Sequence, residues 1–118
     1  MINFREFEFW KRSRQLAIDV YEVTKDFPKN EQYGLTSQIR RCAVSIPSTI
    51  AEGASRSTKK DFARFLEISI GSAHELETQV DISYSVSYLA QEPFDKISKE
   101  INEIIRMTSK YRSRIINS

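Results

Sequence analysis

One cysteine, one histidine, three glycines and three prolines among 118 residues leave little room for several common chemistries. A single Cys42 excludes an intrachain disulfide, and a single His74 excludes a histidine-rich metal site within one chain. Cys42 lies in the apolar run with Ile39 and Ile46, where a small buried residue is the expected role. A Cys42–His74 nucleophile pair would need the two to meet in an activating environment. The three glycines are far apart, so no glycine-rich loop can cradle a phosphate. Few glycines and prolines imply long elements joined by short loops. No apolar run approaches the ~18 residues needed to span a membrane. The first ten residues, MINFREFEFW, place acids among aromatics and have no signal-peptide pattern. A cytoplasmic protein with no membrane partner and no cofactor is the expectation.

The length fits one domain over residues 1–118. Net charge is +2 with a pI near 8.7, too mild to demand nucleic acid by itself. There is no strand alternation. Breaks at Pro28-Lys29-Asn30, Gly53 to Ser57 and Gln91-Glu92-Pro93 leave four helical segments. They run from about Arg5 to Asp26, Tyr33 to Glu52, Thr58 to Leu89 and Pro93 to Ile116. Thr58 with Asp61 resembles a capping box, Gly53 suits a left-handed helix terminus, and Pro93 suits a first helical turn. Short connections predict an all-α, antiparallel up-down-up-down four-helix bundle. Pro47 interrupts the second helix and predicts a kink there, at a cost of about 3 kcal/mol.

On the second helix, Leu35, Ile39, Cys42, Ala43, Ile46 and Ile50 form an apolar stripe, with Gln38, Arg41, Ser45, Ser48 and Glu52 opposite. The first and third helices are apolar on more than one side. Trp10, Tyr21, Ile68, Ile82, Val86 and Leu89 are the residues left over after the core is filled, and a subunit interface is the simplest use for them.

Catalytic constellations are missing. Glu75, Glu77 and Asp81 share a helix, but the order His74-Glu75 is not the Glu-x-x-His of carboxylate-bridged metal bundles. Ser69 stands where an HEPN-type RNase would need arginine before His74. A hydrolase built on Glu52 and Arg41 would need both to face a closed cavity. The expectation is therefore no enzyme and no small-molecule substrate. Positive charge, by contrast, recurs at helical spacing: Lys96, Lys99, Arg106, Lys110 and Arg114 on the fourth helix, interrupted by Glu103. Arg40, Arg41, Arg56, Lys59 and Lys60 add to it around the second helix and the following turn. These ten are the candidate phosphate contacts, since neutralising phosphates releases counterions. The competing use is a solvated outer face.

Trp10, Val20-Tyr21, Phe27-Pro28, Glu31, Tyr33-Gly34-Leu35, Gln38-Ile39-Arg40-Arg41, Ser45-Ile46-Pro47, Ile50-Ala51-Glu52-Gly53 and Gly71-Ser72 with Glu75-Leu76-Glu77 together form a specific pattern. In it the chain resembles the four-helix-bundle family encoded by intervening sequences in bacterial 23S rRNA genes. Thr49 stands where that pattern usually has asparagine. The resemblance implies a homopentamer and a kinship with accessory proteins of diversity-generating retroelements, which bind RNA and a reverse transcriptase. It implies association with structured RNA or a ribonucleoprotein and transfers no catalytic residue. The alternative is a scaffold engaging a polymerase or another protein without touching RNA.

Overall fold

A computed structural model describes residues 2–118. After a short 3-10 turn at Phe4–Glu6, the helices are Glu8–Val23 (α1), Leu35–Ala54 (α2), Lys59–Ser85 (α3) and Gln91–Ile116 (α4), with a second 3-10 turn at Lys29–Glu31 before α2. Among the described residues there is no strand, and no helix is long and apolar enough to cross a membrane.

Cross-helix bonds give the packing order. Ser69 of α3 meets Ile46 of α2, and Cys42 meets Ser72, so numbers rise along α3 as they fall along α2. Arg112 of α4 reaches Ala63 at one end of α3, while Tyr84 at the other end stacks on Phe94. Arg40 of α2 bonds Thr24 and Tyr21 at the end of α1. Leu16, Val20, Ile39, Ile46, Ile50, Leu66, Leu76, Ile101 and Ile104 fill the centre, each at most 2% exposed.

The ends are closed by aromatics. Phe7 stacks on Phe9 at 4.8 Å and meets Tyr111 edge-on at 4.9 Å, sealing the end where the chain begins. Phe27 packs on Tyr88 at 5.5 Å at the other. There, Glu31 accepts from the Leu35 amide at 3.1 Å and from the Tyr88 hydroxyl at 2.9 Å. Glu31 thus serves the first turn of α2, whose N-cap Gly34 has no side chain to do so.

α2 continues through buried Pro47 from Leu35 to Ala54. Proline cannot donate to the Ala43 carbonyl. Two hydroxyls hold the backbone beside it: Ser45 donates to Cys42 O at 2.6 Å, and Ser69 of α3 donates to Ile46 O at 3.0 Å. Gly53 does not take the expected left-handed terminus, because none of the glycines has positive φ. It is a helical residue buried against α3, where an added methyl would lie 2.5 Å from Phe65 Cβ. Close approach of two helices is the reason for a glycine there. The Thr58 hydroxyl does cap α3, accepting from the Asp61 amide at 3.1 Å.

α3 stops at Ser85, four residues short of the expected end. Ser87 turns left-handed (φ 68°), and the amides of Tyr88 and Leu89 both return to Ser83 O. That reversal folds Leu89 into the core at 6% exposure. Leu89 is therefore a core residue rather than an interface candidate.

Candidate nucleic-acid interface and subunit surfaces

The ten basic residues do not form one patch. Lys96, Lys99, Arg106, Lys110 and Arg114 are all exposed along α4. From Lys96 to Arg114 the run spans about 27 Å at 1.5 Å per residue. Arg106 is held in an ion pair by Glu103 of the same helix. Lys96 and Lys99 border a hollow of about 370 Å³ between α1 and α4, beside Arg12 and Glu100.

The Arg12 guanidinium grips Glu100 with two bonds of 2.8 and 2.6 Å. Those bonds hold the Glu100 carboxyl below its ordinary range, against the opposing effect of burial. They also raise the pKa of Arg12. Sequence reasoning did not single out this pair, since a spacing of 88 residues leaves no local signal.

A second group gathers where the α2–α3 turn meets the end of α4. Arg56, Lys59 and Lys60 are exposed there, and Lys59 Nζ donates to Ser118 Oγ at 3.0 Å. Lys110 and Arg114 belong to the same end, and no acid follows Glu103 in the chain. Arg56 stacks over Phe65 and pairs with Glu52 at 3.1 Å. This end is the densest basic region the candidates make.

Arg40 is spoken for. It donates to Thr24 Oγ1 at 2.8 Å and Tyr21 O at 3.2 Å, and its guanidinium lies over the Tyr21 ring. Its side chain ties α2 to the end of α1, so it is a structural arginine. Arg41 is exposed on the outer side of α2. Glu52 faces solvent in its pair with Arg56, so the two do not share an enclosed site.

Among the interface candidates, Tyr21, Ile68, Ile82 and Val86 are exposed, at 45 to 50%. Trp10 is half-buried, with Phe4 packed edge-on against it at 5.1 Å. The 3-10 turn at Phe4–Glu6 brings that ring over, which a helix begun at Arg5 did not foresee. Cys42 is buried, donates to Ser72 O at 3.1 Å, and has its thiol pushed up to about 12 by burial and then by Glu75. A thiol so disposed is a poor nucleophile at neutral pH.

Comparison with known proteins agrees with this architecture. A solved structure from Bacteroides thetaiotaomicron VPI-5482, a protein of unknown function from the S23 ribosomal protein family, superposes with a TM-score of 0.82. The match covers 89% of this chain and 95% of that one at 21% identity, a likeness of fold. No curated protein matches this chain significantly. The pattern described as 23S rRNA-intervening sequence protein matches residues 5–110. With its four-helix fold and a match over nearly its whole length, this chain belongs to the 23S rRNA-intervening sequence protein family.

Proposed function

We propose that this chain is a non-catalytic homo-oligomer, a pentamer by family resemblance, that associates with structured RNA or a ribonucleoprotein in the cytoplasm. The observation that carries the reading is the basic end of the bundle. Arg56, Lys59 and Lys60 are exposed there, and Lys110 and Arg114 project from the last turns of α4. Five cations at one end of each subunit suit phosphate tracking. Repetition around an oligomer multiplies weak contacts without new chemistry. No aromatic stacking module accompanies them, so recognition rests on shape and charge.

The test is RNA binding by fluorescence anisotropy, using a structured rRNA hairpin between 50 and 200 mM salt. Affinity should fall steeply with salt. Lys110→Glu with Arg114→Glu should weaken binding and flatten the salt slope by up to about 0.9 for each phosphate no longer neutralised. Lys96→Glu with Lys99→Glu, toward the other end of α4, should do less. A wild-type protein without salt-dependent affinity at low ionic strength refutes the RNA reading. A partner that stays bound after nuclease treatment in a pull-down points to protein scaffolding instead.

A further inference from the structure

Among the described residues, two exposed apolar surfaces run along the helices. One is a hollow of about 430 Å³ along the α1–α2 seam, lined by Ala17, Ile18, Tyr21, Val44 and Pro47 and edged by Arg14. The other is a ridge made by Ile68 and Ile82 of α3 and by Val86 just past its end, each about half exposed. Ile68, Glu75 and Ile82 follow one another at seven-residue spacing and so share one line of the helix. Cys42 of α2 donates to Ser72 O, and Glu75 lies one turn on from Ser72, so this line lies on the side of α3 next to α2. Seam and ridge thus flank α2.

Their charges are opposite. Glu75 is the one charge on the ridge line; Glu67, paired with Arg112, Glu77 and Asp81 turn toward α4, and from Phe65 to Ala90 the chain has no lysine or arginine. Beside the seam, Lys11, Arg14, Ile18 and Tyr21 recur at spacings of three and four along the outer side of α1. Exposed Arg41 stands nearby on α2. Arg14, Arg41 and Glu75 make no ion pair among the described residues. Seam against seam would set arginines against arginines, and ridge against ridge would oppose carboxylates. Seam against ridge matches apolar surface with apolar surface and cation with anion.

We infer that the α1–α2 seam receives the α3 ridge of a second copy of this chain, making a head-to-tail joint. The inference rests on the self-association proposed above and specifies its geometry. A heterologous joint leaves one seam and one ridge free on every dimer, so assembly proceeds until a ring closes. Because both surfaces flank α2, its outward residues Arg41, Ser48 and Glu52 line the inner side of that ring.

Complementation between two variants tests the joint. Val44→Glu spoils the seam but keeps the ridge; Ile82→Lys spoils the ridge but keeps the seam. At micromolar concentration by sedimentation velocity, wild type should assemble and each variant alone should be a helical monomer. An equimolar mixture should form a dimer and nothing larger, through the one intact seam and ridge. If circular dichroism shows a charged variant unfolded, Val44→Ser and Ile82→Ser make the same comparison. Variants that assemble like wild type, or a mixture that stays monomeric, overturn the joint and leave self-association standing. A monomeric wild type overturns both.

Discussion

Replacing Gly53 by alanine isolates the close approach of α2 and α3. A methyl there would lie 2.5 Å from Phe65 Cβ and 3.1 Å from Phe62 Cδ1. Ordinary carbon contacts are about 3.5–4.0 Å, so α3 would have to move by about 1 Å. Phe62 is buried, which leaves it little freedom to yield. Overpacking of this kind costs about 1–3 kcal/mol, and the Phe65 Cβ contact, next to backbone, argues for the upper end. Alanine returns about 1 kcal/mol of helix preference. The net expectation is a loss of about 2 kcal/mol. For a chain of this size that is roughly 8 °C in Tm. Gly71 supplies the control, because a methyl there meets nothing within 4 Å. At dilutions where the subunits are separate, Gly71→Ala should gain about 1 kcal/mol. Thermal and urea denaturation followed by circular dichroism read both. If Gly53→Ala is neutral or stabilising like Gly71→Ala, the helices are not held in that contact and the reasoning fails.

Glu100→Gln should destabilise the fold at neutral pH and flatten its acid limb. The folded carboxyl titrates below its ordinary value, so the stabilisation is present above about pH 4.3 and is lost as pH falls through the lowered folded pKa. Urea midpoints from pH 2 to 7 would show this, and a double-mutant cycle with Arg12→Ala should give a coupling of about 1 kcal/mol. Cys42 should react slowly with a thiol reagent at pH 8 and quickly in denaturant. Because its folded pKa is raised, the unfolded thiol ionises first, and stability should decline as pH rises from about 8.5 toward 10. Cys42→Ala should reduce that slope; an unchanged slope counts against a buried neutral thiol. Ser69→Ala should cost about 1 kcal/mol by removing the bond to Ile46 O.

The sequence made the bundle legible because apolar residues at 3.6-residue spacing report directly on a buried face. Ile39, Ile46 and Ile50 on α2 and Ile97, Ile101 and Ile104 on α4 are buried where the period puts them. Boundaries were harder to read. Ser87 adopts a left-handed turn with no glycine to announce it, so a wheel drawn through Leu89 set that residue on the wrong side. Gly53 carried the opposite ambiguity: its composition fits a terminus, whereas its neighbour across the interface decides. Exposure was equally legible for nine of the ten basic candidates, Arg40 being half-buried, but their engagement was not. Only tertiary structure brings Thr24 and Tyr21 to Arg40, or Glu100 to Arg12.

The carboxylate of Glu31 joins three parts of the chain through two bonds, one to the first amide of α2 and one to the α3–α4 turn at Tyr88. Opening either connection breaks its hold on the other. The two connections at that end should therefore open together as one cooperative unit. Amide exchange would register it as a shared opening free energy for Leu35 and for the residues around Tyr88. Glu31→Ala would then speed exchange at both places, although they lie more than fifty positions apart in sequence.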